Sequence, residues 1–107
     1  AIRRIFVSPP VKKYIVELTR ATRVHDDVYL GVSPRGSLAL YRASQARAAT
    51  LGRDFVLPDD VKLLTKLVMS HRMIIQPAAR LRNLSPEQIL TEVISSVSVP
   101  GGDFSGK

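Results

Sequence analysis

Proline, more than any other residue, limits what this chain can fold into. Serine followed by proline occurs at Ser8-Pro9, Ser33-Pro34 and Ser85-Pro86, and Leu57-Pro58 stands in the same relation to the apolar run after it. Each pair predicts a helix start. A serine hydroxyl accepts from an orphan amide of the first turn, while proline at the first helical position has no amide to orphan and a φ that is already helical. Ser85-Pro86-Glu87-Gln88 adds a glutamine that completes a capping box. Leu57 has no side-chain acceptor, so the third helix relies on Asp59 and Asp60 at the positive end of its dipole.

Apolar periodicity agrees with these starts. From Pro9 to about Arg23, Val11, Tyr14, Ile15, Leu18 and Ala21 recur at helical spacing, with Lys12, Lys13, Glu17 and Arg20 on the other face. The second helix, Pro34 to Leu51, carries a narrow stripe of Ala39, Leu40, Ala43 and Ala46, mostly small residues that let a neighbouring helix approach closely. In the third, Val61, Leu64, Leu67, Val68 and His71 line one face; in the fourth, Ile89, Leu90, Val93, Ile94 and Val97 do so. Asp54-Phe55-Val56 and Met73-Ile74-Ile75 are short apolar runs that could pair as a ribbon. The fold predicted is therefore all-α: a small four-helix bundle over residues 1–100, with at most a minimal two-stranded β accessory. Residues 101–107, Gly-Gly-Asp-Phe-Ser-Gly-Lys, read as a disordered glycine-rich tail.

Composition excludes several function classes. The absence of cysteine rules out a disulfide framework, a thiolate nucleophile and a Cys-ligated metal site. Charge or proline interrupts every apolar stretch, so a membrane span is not expected, and the opening Ala-Ile-Arg-Arg-Ile lacks the apolar core of a secretory signal. The reading is a soluble, cytoplasmic piece of a longer chain.

Features that look chemical reduce to ordinary ones. Residues 101–107 spell G-x-x-x-x-G-K, yet Ser98-Val99-Pro100 before them is a poor strand, and the pattern lacks the Ser or Thr that a phosphate-binding loop needs after its lysine. His25 and His71 are 46 positions apart and are read as cations suited to helix C-termini, so no metal site is predicted. Asp59 and Asp60 are read as capping charges and Asp26-Asp27 as a solvated loop, because adjacent carboxylates do not face one substrate. The net charge of +7 raises nucleic-acid binding through Arg42, Arg47, Arg53, Arg72, Arg80 and Arg82, but no run exceeds two basic residues. The six scattered aromatics offer no stacking platform, and this reading is disfavoured.

One cation stands apart. Arg35 is the second residue of its helix, where the dipole disfavours a positive charge by roughly 0.3–1 kcal/mol at an exposed site. Gly31-Val32-Ser33-Pro34-Arg35-Gly36-Ser37 thus places a guanidinium beside free backbone amides, a combination suited to phosphate.

Gly31 to Leu40, followed by Ala46-Arg47-Ala48-Ala49, Gly52-Arg53-Asp54-Phe55-Val56-Leu57-Pro58-Asp59-Asp60-Val61 and His71-Arg72, resembles the C-terminal lid of MoxR-type AAA+ ATPases. The likeness runs from Val7-Ser8-Pro9 to the fourth helix. It implies that Arg35 is the sensor 2 arginine, reaching the γ-phosphate of ATP held by a large ATPase subdomain, with Ser33 and Pro34 beside the nucleotide. It further implies that the parent protein uses ATP and Mg, assembles into rings, often hexamers, and remodels or matures partners, commonly proteins with von Willebrand factor A domains. Walker A, Walker B and sensor 1 residues are missing from the 107 residues, so this piece should bind no cofactor and hydrolyse nothing alone. Val32 and Gly36, where the family usually has Ala, and Leu57, usually Thr, depart from the pattern and predict a looser helix start. The competing readings are a histone-fold-like DNA-binding domain, which wants a central helix longer than the roughly five turns between Pro34 and Gly52, and a helical adaptor.

Overall fold

The computed structural model describes residues 4–100; the glycine-rich 101–107 segment, with its expected disorder and its G-x-x-x-x-G-K pattern, lies outside the described residues. Within them are α1 (Pro9–Val24), α2 (Pro34–Thr50), α3 (Pro58–Met69), α4 (Pro77–Leu81) and α5 (Pro86–Ser96), with strands β1 (Val28–Leu30) and β2 (Ile74–Ile75). A 3-10 turn, Ser70–Arg72, joins α3 to β2. The helices have proline at their first position, which accounts for five of the seven prolines in the chain.

Three of the expected starts are capped as the sequence implies. The Ser8 hydroxyl accepts the Val11 amide at 3.4 Å. Ser85 and Gln88 exchange both bonds of a capping box, Gln88 N–H to Ser85 Oγ at 3.2 Å and Ser85 N–H to Gln88 Oε1 at 2.8 Å. Asp60 reaches back from α3 to accept the Leu57 amide at 2.8 Å. Ser33 differs: its side chain accepts from none of the first-turn amides of α2.

Two expectations about topology are corrected. A fifth helix, α4, starts at Pro77; its single turn and a half has no room for an apolar stripe, so only the proline announces it. The ribbon forms, but β2 pairs antiparallel with β1, Val28 opposite Ile75 and Leu30 opposite Ile74. Phe55 instead forms an isolated parallel bridge with Phe6, through Phe6 N–H to Asp54 O and Val56 N–H to Phe6 O, both 2.9 Å. Strand partners are chosen by tertiary packing, and here Val28 and Ile75 each bury a side chain in the core.

The core lies where α1, α3 and α5 converge, with α2 packed across α1 and α3. Tyr14, Leu18, Leu40, Met69, Ile89 and Leu90 fill it. On α2 the buried line is Gly36, Leu40, Ser44 and Ala48, an i, i+4 ridge; Ala39 and Ala43 flank it and Ala46 is exposed. On α3 the buried face is Asp60, Val61, Thr65 and Met69, whereas Leu67 is 69% exposed, against the stripe read from the sequence. Thr65 satisfies itself by donating to Val61 O at 2.7 Å, so a nominally polar residue sits in the core at little cost.

Candidate functional site

The segment before α2 is fixed to α1 at several points. Val32 N–H donates to Thr22 Oγ1 at 3.0 Å, and Arg23 Nε–H donates to Val32 O at 3.0 Å. Ser37 Oγ, one turn into α2, donates to Thr19 Oγ1 at 2.7 Å, while Thr19 and Thr22 donate in turn to Ile15 O and Thr19 O. Both threonines are buried in the seam between α1 and α2, where each hydroxyl serves as donor and acceptor together. Gly31 passes so close to α1 that a Cβ would stand 2.7 Å from Arg23 Cα. Only glycine fits that approach.

Ser33, Pro34 and Arg35 follow this anchor as N-cap, first and second residues of α2, and all three are exposed. The Gly36 and Ser37 amides turn back to Ser33 O at 2.9 and 3.3 Å, leaving the Arg35 amide without a partner among the described residues. No acidic residue occupies the first turn of α2, whereas α3 carries Asp59 and Asp60 there and α5 carries Glu87. Ion pairs among the described residues engage Arg20, His25, Arg47, Arg53 and Arg82, and Arg35 is in none. The site therefore offers an unpaired guanidinium, an open amide and an uncommitted serine hydroxyl at the positive end of a 17-residue helix. Those donors fit the oxygens of a phosphate group.

The expected looseness at Val32 and Gly36 is also corrected. Val32 is fully buried, and a Cβ on residue 36 would lie 2.2 Å from Val32 Cγ1. The valine occupies the volume that alanine would need at 36, so the two departures compensate one another and the turn is tightly packed.

Several other candidate groups are committed elsewhere. Asp60, whose side chain is 2% exposed, receives Arg53 through Nη1 and Nη2 at 2.8 Å each, Arg47 through Nε at 3.2 Å, and the Leu57 amide. Burial pushes its carboxyl up, but the Arg53 bonds, the Leu57 amide and the charges of Arg53 and Arg47 outweigh that and hold it below the usual carboxylate value. Asp60 is thus a buried clasp as well as a cap, and Arg47 and Arg53, both half-buried, are tied to it. His25, at the C-terminal cap of α1, is also a cross-link: Nδ1 accepts the Asp27 amide at 3.0 Å, and Nε2 meets Glu92 Oε1 at 2.8 Å. Asp27 is likewise engaged, pairing with Arg82 at 2.8 Å. No group of three or more His, Asp or Glu among the described residues is placed to hold a metal ion, and no helix is long and apolar enough to cross a membrane. A cleft of about 850 Å³ lined by Phe6, Val11, Phe55 and Leu57 adjoins the start of α3, away from Arg35.

The family model of the AAA lid domain matches residues 20–93 of this bundle of proline-initiated helices. The chain belongs to that family, as the C-terminal lid of a MoxR-family AAA+ ATPase. It is 42% identical over 99 residues to the uncharacterized protein YeaC of Bacillus subtilis, covering 92% of this chain and 31% of that protein. Against the chaperone MoxR1 of Mycobacterium tuberculosis it is 33% identical over 104 residues, 89% of this chain and 28% of the relative. A crystal structure of a candidate ATPase from Cytophaga hutchinsonii superposes with a TM-score of 0.86 at 30% identity, covering 90% of this chain and 32% of that one. The chain thus spans about three-tenths of the length of these relatives.

Proposed function

We propose that this lid closes over ATP bound to a larger subdomain and contributes Arg35 as the sensor 2 arginine. Residues 1–100 form the lid in this reading, and Ser33 and Pro34 border the nucleotide. What supports it above all is that Arg35 is exposed and outside the ion pairs formed among the described residues, at a helix start whose backbone is fixed by Thr22 and Arg23. A cation on a backbone so anchored, with no acid in its turn, is free to meet an external anion, and it stabilises negative charge that builds on the terminal phosphate as its bond breaks. ATP is the substrate. Mg belongs with the larger subdomain, and no residue of the lid is assigned to hold it. Loss of the terminal phosphate releases Arg35 and lets the lid rotate, moving a neighbouring subunit of a ring, hexameric in the simplest case. The machine so driven is chaperone-like, as the name of MoxR1 fits, and proteins with von Willebrand factor A domains are its proposed clients. The cytoplasm is the proposed compartment. The histone-fold alternative gains no support, because α2 has 17 residues and three of the six arginines it would use face Asp60 or Asp27.

The test is Arg35→Ala in the full-length protein. Turnover should fall by about 10²-fold, the scale seen when one donor to developing charge is removed, with an unchanged melting temperature. Wild-type ATPase activity in that variant would remove Arg35 from the site.

A further inference from the structure

We propose that Arg72 is a second cation of the same site, joining Arg35 on the terminal phosphate of a nucleoside triphosphate. The inference rests on the Arg35 reading and extends it to a residue far away in sequence. A Cβ on Gly36 would lie 3.3 Å from Arg72 Cδ, so the aliphatic stem of Arg72 lies along the first turn of α2, against the residue next to Arg35. The guanidinium carbon is two bonds beyond Cδ and cannot leave the neighbourhood of that turn. Its backbone is held on both sides: α3 ends at Met69, the 3-10 turn redirects the chain, and Ser70 and Met73 are both buried. Arg72 itself is exposed.

The electrostatics call for an anion. Where this bundle pairs arginines it supplies an acid: Glu17 for Arg20, Asp60 for Arg47 and Arg53, Asp27 for Arg82. At the start of α2 no acid stands in the first turn, and neither Arg35 nor Arg72 takes part in an ion pair among the described residues. Two guanidinium groups and the positive end of a helix repel one another unless negative charge lies between them. A terminal phosphate, with several charged oxygens, can meet both forks at once. Gly36 has a role in this arrangement beyond accommodating Val32: with no side chain it leaves the groove in which the Arg72 stem lies.

The experiment uses the full-length protein and compares Arg72→Gln, Arg72→Lys and Arg35→Ala by titration with the non-hydrolysable analogue AMP-PNP and with ADP. Arg72→Gln should weaken AMP-PNP binding by about tenfold, the scale of one charge-assisted hydrogen bond, with ADP affinity and melting temperature unchanged. Arg72→Lys should retain most of the discrimination. If Arg35→Ala loses discrimination and Arg72→Gln keeps it, the proposal for Arg72 is overturned while the Arg35 reading stands; if both keep it, both fail. Should Arg72→Gln lower the melting temperature, Arg72→Lys decides: retained AMP-PNP preference supports a charge role, and equal loss for both nucleotides makes Arg72 structural and ends the proposal.

Discussion

The two ends of α2 treat arginine in opposite ways. At the C-terminal end, Arg47 and, just beyond the helix, Arg53 converge on one buried carboxylate, Asp60, and Arg53 also lies over the Phe55 ring at 5.8 Å from its centroid. At the N-terminal end, Arg35 and the stem of Arg72 stand where the first turn holds no acid. The same residue type is a structural tie in one place and an open valence in the other. What separates them is the position of acids elsewhere in the chain, so a charge count cannot tell fastening from function.

The contrast predicts opposite responses to mutation. Asp60→Asn should produce the largest loss, about 3 kcal/mol by chemical denaturation, because it removes the buried charge on which Arg53, Arg47 and the Leu57 amide converge. The same group gives a pH signature. Its folded pKa is lowered, so its stabilisation is complete above the ordinary carboxylate range and drains away as pH falls through that range toward the lower folded value. Denaturation midpoints followed from pH 6 downward should show this slope in the wild type and lose it in Asp60→Asn; equal slopes would contradict the clasp. Gly36→Ala comes next, at roughly 2 kcal/mol, by forcing a methyl onto Val32. Adding Val32→Ala should recover part of that loss, and simple additivity of the two would refute the compensation described here. Arg35→Ala should be smallest in stability, within about 0.5 kcal/mol, since an exposed cation at a helix start contributes nothing to packing. A substantial destabilisation there would make the two ends alike.

Much of this was legible in the sequence because helix starts are local. Proline at the first helical position can be read from neighbouring residues, and Arg35 was placed correctly by that rule alone. Pro77 obeys it too, and marks α4 although Gln76 takes the place of a capping serine. What escaped was set by distant partners. Nothing near Thr19 or Thr22 announces that their hydroxyls receive residues 32 and 37, and nothing near Val28 names Ile75. Asp60 looks like a helix cap from either neighbour and becomes a clasp only when α2 delivers Arg47. Leu67 misled for the converse reason: its hydrophobicity promised burial, while Thr65 took the inward position by bonding to its own helix.

The Val32 peptide is gripped at both its amide and its carbonyl by α1, not by the helix it introduces. A tug on Arg35 therefore meets no slack in the joint. In the proposed lid it would pass straight to a sixteen-residue rod whose buried stripe, Thr19 and Thr22 included, is part of the core, turning the bundle as a crank and not stretching the joint like a spring.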